Sequence, residues 1–208
     1  MGILLIVIFV LIIVLFFMLD MSSPKAKGNM GEIYMKNTLK RHLPKDIYHC
    51  MNDVFLHDGQ GGTTQVDHIV ISVYGIFVIE TKNYKGWIFG KLNSQKWKQV
   101  NFKKQNYFYN PLRQNYKHTK AISECSAIPM SSIYSIIAFV GDAKFKSSNK
   151  PDNVLMGVEE VIDYINSVER PLFSEKESLQ FLEYIQEVAL PRDKTTKRFH
   201  LNYVTRKR

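Results

Sequence analysis

At 208 residues, 45% apolar and 12% aromatic, the chain can build one packed domain with a short appendage, which excludes a disordered protein. Lys and Arg number 28 against 19 Asp and Glu, a formal charge of +9 and a pI near 9.4; this excludes an acidic ion-binding protein and points to anionic partners such as nucleic acid or a phospholipid surface. Two cysteines, Cys50 and Cys125, stand outside any CxxC pair and exclude a disulfide scaffold or a zinc cluster.

The mean hydropathy of −0.17 hides an uneven chain. Residues 3–19 are 17 consecutive apolar residues, and no charge precedes Asp20. As a helix they would span roughly 26 Å, at the short end of what crosses a hydrocarbon core of about 30 Å. A cleaved signal peptide wants basic residues ahead of the run and a small-x-small site after it, and both are missing. A buried core helix would show a polar face, and this run has none. The expectation is an uncleaved transmembrane anchor over residues 1–20. Lys25 and Lys27 follow the run and nothing basic precedes it, so the N-terminus is placed outside and the bulk of the chain in the cytoplasm. Residues 21–28, with Ser22, Ser23, Pro24 and Gly28, read as a linker.

The remainder, residues 29–190, reads as one domain without an internal repeat. Its predicted elements are a helix (30–43), a strand (47–56), a Gly-rich loop (57–63) and strands at 65–73 and 76–83. An irregular basic stretch (84–109), a helix (111–127), a buried strand (133–140) and further αβ elements follow. The last helix, 175–190, is marked by Ser174 as cap, Glu177 completing a capping box and Pro191 beyond its end. The tail over residues 191–208 is basic and is expected to fray.

The chemistry concentrates on the hairpin. If Tyr74-Gly75 is a two-residue loop, Ile69 faces Glu80 and Asp67 faces Lys82. Alternation then places Asp67, Ile69, Ile71 and Val73 on one face with Ile76, Val78, Glu80 and Lys82. The same parity puts Gln65 with Asp67, and His68 on the opposite face as a packed core histidine. Two close carboxylates raise each other's proton affinity unless a cation sits between them, and oxygen ligands favour Mg²⁺ or Mn²⁺. The competing reading is a surface salt-bridge cluster worth little. Glu32 weighs against it: it shares the apolar helix face of Met35, Leu39 and Leu43, where a carboxylate needs a partner, and Gly31 permits close approach of a neighbouring backbone.

Gly31-Glu32, then Thr64-Gln65-Val66-Asp67-His68-Ile69-Val70, then residues 75–86 with Glu80-Thr81-Lys82, then Trp97 and Asn110-Pro111-Leu112-Arg113-Gln114-Asn115 together resemble the nuclease-related domain (NERD) family. That family is placed in the PD-(D/E)xK nuclease-like superfamily. The resemblance covers residues 28–140 and implies an α/β fold with a restriction-endonuclease-like αβββαβ core, a mixed central sheet flanked by helices. It implies that Asp67 is the metal-binding Asp, that Glu80-Thr81-Lys82 is the (D/E)xK triplet, and that Glu32 is the first-helix acid. Asp67, Glu80 and the Thr81 carbonyl would then hold Mg²⁺ or Mn²⁺, with Glu32 supporting a second ion or orienting a ligand. Lys82 would position the attacking water, and Gln114 would anchor substrate or Lys82.

Residues 81–120 contain no Asp or Glu, but ten Lys and Arg interleaved with aromatics. Phosphate neutralisation with aromatic stacking is the physics of nucleic-acid binding, and Gln65, Lys85, Lys98, Lys103, Lys104 and Arg113 are the candidate contacts. Taken singly, most of the aromatics are expected in the core; a membrane surface is the competing anion. The Gly-rich 57–62 lacks the Gly-Lys-Ser/Thr of a phosphate loop, and His118 with Cys125 lacks the third group of a cysteine protease. Two functions follow: a membrane-anchored, divalent-metal-dependent nuclease acting on DNA or RNA, or a non-catalytic nucleic-acid-binding or protein-interaction module at the membrane.

Overall fold

The structure, a computed structural model, describes residues 6–11, 23–102 and 104–206. Helix α1 (Pro24–His42) leads into strands β1 (His49–His57), β2 (Thr63–Ser72) and β3 (Gly75–Lys82). Strands β4 (Gly86–Phe89), β5 (Lys96–Asn101) and β6 (Lys104–Tyr109) precede helix α2 (Pro111–Ser126). Strands β7 (Ile133–Phe139), β8 (Ala143–Phe145) and β9 (Val154–Leu155) follow, then helices α3 (Val158–Asn166), α4 (Glu175–Val188) and α5 (Lys194–Arg206).

Two mixed sheets organise these elements. The first has the order β1-β2-β3-β7-β9: β1 to β3 form an antiparallel meander, and β7 and β9 add in parallel. The second has the order β6-β5-β4-β8. Met35, Leu39 and Leu43 of α1, with α3, cover one face of the first sheet through Val70, Phe77, Ile79 and Ile136. Helices α2 and α4 cover the other through Ile69, Ile71, Ile76 and Val78. The second sheet packs Ile88 and Trp97 on Ile137 and Phe139 of β7. Burying each such side chain contributes about 1.5–3 kcal/mol. The expected αβββαβ order is present as α1, β1 to β3, α2 and β7, with β4 to β6 inserted before α2.

Several expectations change. Helix α1 begins at Pro24, so residues 24–28 are its first turns and not a linker; the Ser23 hydroxyl accepts the Ala26 N–H at 3.1 Å. Ser-Pro is a helix start as well as a turn signal, because proline lacks the N–H that the first turn leaves unpaired. The stretch 84–109 is three strands and not irregular. Its alternation is weak because aromatic rings stand on both faces, Trp97 and Phe108 inward and Trp87, Phe89, Tyr107 and Tyr109 outward among lysines. The tail is helix α5 over Lys194–Arg206, and does not fray there: His200 Nδ1 lies 3.1 Å from the Thr63 hydroxyl and Tyr203 donates to Asp58. The capping box of α4 is formed as expected. Of the apolar run 3–19, residues 6–11 are described and helical, and the rest of the expected anchor lies outside the described residues. Among the described residues no helix is long and apolar enough to cross a membrane.

Candidate active site

The hairpin register differs from the expected one by two residues. Ser72 pairs with Gly75, Ile71 with Ile76 and His68 with Ile79, so the loop is Val73-Tyr74. Neither loop residue takes positive φ; Gly75 does, at +138°, and a Cβ there would lie 2.6 Å from the Tyr134 ring. The turn is therefore the unprimed kind with glycine at its fourth position. The Ser72 hydroxyl helps close it, accepting the Tyr74 N–H at 3.2 Å and donating to the Gly75 carbonyl at 3.3 Å. A shift of two preserves which side chains share a face, so the expected constellation survives with different partners. Asp67 falls opposite Glu80, one step beyond the His68–Ile79 pair, and not opposite Lys82.

Both ladders flanking β2 break at this point. The β1 register passes from Asn52–His68 to Val54–Val66, skipping Asp53 and Asp67, and Asp53 takes φ +54°. In place of a ladder bond, the Thr81 N–H donates to Asp67 Oδ2 at 2.8 Å. The metal-ligand candidate thus sits in a local opening of the sheet.

Glu80 is 1% exposed, which sets aside the surface-cluster reading. Lys82 Nζ donates to its Oε1 and to Gln114 Oε1 at 3.2 Å. His118 Nε2 donates to Glu80 Oε2 at 3.0 Å, and His118 Nδ1 lies 2.6 Å from the Thr64 hydroxyl. Gln114 and His118 are four residues apart on α2, hence on one helix face. The family-pattern asparagines hold that face in place. Asn110 caps α2 through the Leu112 N–H and binds the Leu92 and Ser94 carbonyls. Asn115 donates to the Val78 carbonyl at 2.8 Å and the Ser135 hydroxyl at 2.8 Å, tying α2 to β3 and β7.

Electrostatics divide the carboxylates. Burial alone would raise the Glu80 pKa, but Lys82 and His118 overcome it and hold the group well below the ordinary carboxylate range. Burial opposes the Lys82 charge in the same way, and Glu80 and Asp67 more than offset it, so its pKa is raised. Asp67 goes the other way, well up, through burial first and then the charges of Glu80 and Glu32. The Glu32 pKa is also raised, by burial and then by Asp53 and Glu80. Gly31 permits that approach: a Cβ there would lie 2.6 Å from Asn83 Cβ and 3.0 Å from Val140 Cγ2. Helix α1 packs on the opposite sheet face from α2, so Glu32 meets the group from across the strand ends. His68 is buried on the α1 side with Nδ1 2.7 Å from Asn52 Oδ1, and burial lowers its pKa to about 4, a neutral core histidine as expected.

The remaining candidates are dispersed. Gln65 donates to Asp53 Oδ1 at 2.7 Å and so serves the acidic group. Lys85, Lys104 and Arg113 are exposed, Lys98 is half-buried on β5, and Lys103 lies outside the described residues. Three participants escaped the sequence reading. His118 was signalled by its i, i+4 spacing from Gln114. Asp53 and Arg192 had no local signal, because Arg192 reaches Asp53 Oδ2 from 139 residues away, at 2.7 Å.

The donor set suits a hard cation. Among the described residues no three His, Cys, Asp or Glu side chains converge as a metal cluster. Asp67, driven towards protonation by burial first and then by two neighbouring carboxylates, is the group that a cation would relieve.

The Nuclease-related domain family model matches residues 27–140. An uncharacterized protein of Bacillus anthracis is 48% identical over 99 residues, covering 48% of this chain and 46% of its own length, so the chain spans about half of that curated relative. No solved structure matches. The matched segment carries Glu32, Asp67, Glu80, Lys82, Gln114 and His118, and the chain belongs to the nuclease-related domain family.

Proposed function

We propose that this chain is a divalent-metal-dependent nuclease hydrolysing phosphodiester bonds of DNA or RNA, built on a restriction-endonuclease-like core. The observation that carries the reading is Asp67 set opposite Glu80 in a sheet opening, with Lys82 alongside. Asp67, Glu80 and the Thr81 carbonyl are the groups to hold Mg²⁺ or Mn²⁺, and Glu32 stands ready to support it. When bound, the ion supplies charge stabilisation at the scissile phosphate. Lys82 is held charged and aimed by Glu80 and Gln114; two of its three N–H donors are used, leaving the third for a water or phosphate oxygen. His118 and Thr64 fix Glu80 from behind, the role that outer partners play for ligating carboxylates.

The whole chain, incubated with DNA and RNA under Mg²⁺, Mn²⁺ and EDTA, tests this. Metal-dependent cleavage lost in Asp67→Ala and Lys82→Ala supports the reading, and equal inactivity of all three proteins refutes it. A non-catalytic binding module is the second reading, favoured by one observation: both Glu80 oxygens already have protein partners. Calorimetric titration with Mn²⁺ separates the two, since the module takes up none. The apolar run 3–19 supports an anchor that keeps the domain on the cytoplasmic side, and extraction of the chain by carbonate without detergent would overturn that.

A further inference from the structure

The second sheet has two chemically different faces. Its inner face is the core of Ile88, Trp97 and Phe108 against β7. The outer face follows from the ladder registers, because directly opposed residues share a side. One cross-strand row runs Lys144–Trp87–Val100, a second runs Phe89–Lys98–Tyr107, and a third pairs Lys96 with Tyr109. Four aromatic rings therefore alternate with lysines on one solvent-facing surface. Trp87 is 52% and Tyr107 63% exposed, where burial or a polar residue would serve folding better.

Cations cover three of the rings: Lys98 Nζ lies 5.1 Å from the Phe89 centroid, Lys146 5.7 Å from Trp87 and Lys117 5.7 Å from Tyr109. No Asp or Glu occurs on β4, β5 or β6 or between them. The surface is joined to the site. Lys117 stands one helical turn after Gln114, which holds Lys82, and β4 starts four residues after Lys82.

We propose that this outer face binds single-stranded nucleic acid, its rings stacking on unpaired bases while the lysines neutralise the backbone. This deepens and rests on the nucleic-acid reading of the site. Lysines alone would suit any polyanion, a duplex included. Exposed rings add something only where base faces are free, which a duplex denies them. A phospholipid surface is the rival occupant, since Trp and Tyr also favour membrane interfaces. The continuity of the rings with Lys117 and the Gln114–Lys82 contact favours a strand that runs on into the site.

The test is fluorescence anisotropy of the whole chain, in detergent and EDTA, with labelled 12-nucleotide DNA and RNA strands and the matching duplex. Single strands are expected to bind at least tenfold more tightly than duplex. Trp87→Ala and Tyr107→Ala are each expected to weaken strand binding about tenfold, with Trp87→Phe close to wild type. Equal affinity for duplex, no effect of removing the rings, or binding only to phosphatidylserine vesicles overturns the proposal. EDTA separates this outcome from the nuclease reading. A chain that binds strands through these rings but cuts nothing supports the platform and sinks the nuclease. Metal-dependent cleavage with no ring-dependent strand binding does the reverse.

Discussion

Replacing His118 by alanine probes the least anticipated part of the site. His118 is 4% exposed and touches Glu80 on one side and Thr64 on the other. The bond to the buried carboxylate is charge-assisted and worth about 1.5–3 kcal/mol, and stranding the Thr64 hydroxyl costs about 1 kcal/mol more. His118→Ala is therefore expected to destabilise by about 3 kcal/mol, a fall of about 6–12 °C in Tm for a chain of this size. A thermal-unfolding cycle with Glu80→Gln locates the effect: the double variant should fall short of additivity by at least about 1.5 kcal/mol. The pH dependence gives a second readout. The Glu80 pKa is lowered from 4.5 to about 2, so its contribution is present above the unfolded value and is lost as pH falls towards the folded one. The gap between wild type and His118→Ala should accordingly close between about pH 4.5 and 2. Activity or metal affinity should drop about 10- to 100-fold, as for other outer partners of ligating groups. A cost below about 1 kcal/mol, strict additivity, or a gap that persists in acid would each refute the linkage argued between His118 and Glu80.

Asp67→Asn should stabilise the metal-free chain by about 1 kcal/mol at neutral pH, because the raised Asp67 pKa means that its ionised form opposes folding there. The sign follows from linkage: stability from Asp67 is full below its ordinary value of 3.8 and falls as pH rises through the folded one, so Tm at pH 5 and pH 8 should differ less in the variant. Gly31→Ala should cost about 1–3 kcal/mol in denaturant unfolding, since its Cβ would overlap Asn83, and should lower activity through displacement of Glu32. Arg192→Ala should cost under about 1 kcal/mol of stability, a fall in Tm of no more than about 2–4 °C, because the side chain is 56% exposed despite its contact with Asp53; a loss above about 2 kcal/mol would show that the tail contributes more than an exposed ion pair does.

The legible parts of this molecule were those with a short-range signature. The α1 stripe of Met35, Leu39 and Leu43 and the shared face of Asp67, Glu80 and Lys82 follow from periods of 3.6 and 2, and the α4 capping box from the three-residue spacing of Ser174 and Glu177. The sequence pattern puts the hairpin register two residues off, because Tyr74-Gly75 is a natural two-residue loop and only the packing of Tyr134 against Gly75 shows where β3 begins. Parity protected the site from that error. The inserted strands were illegible for a different reason: β5 buries Trp97 alone among lysines and amides, too little alternation to announce a strand. Long-range partners such as Arg192 on Asp53 have no sequence signal at all.

The charge balance of the site indicates where a ligand belongs. Glu80 is matched by Lys82 and bonded to His118, and Asp53 is matched by Arg192, with Lys197 at 3.8 Å. That leaves Asp67 and Glu32, whose pKa values are the ones pushed up by burial and by neighbouring carboxylates. The residual demand is therefore for positive charge at the Asp67–Glu32 side, and an anionic phosphate arriving alone would meet repulsion there. The lysine-bearing outer face of the second sheet has the opposite balance. A nucleic-acid strand held on that face and a divalent cation at Asp67 satisfy both together, so metal should tighten strand binding in wild type and leave it unchanged in Asp67→Ala. Anisotropy titrations with and without Mn²⁺, run on a non-cleavable backbone, read that coupling directly, and metal-independent binding by wild type would show that the two regions act separately.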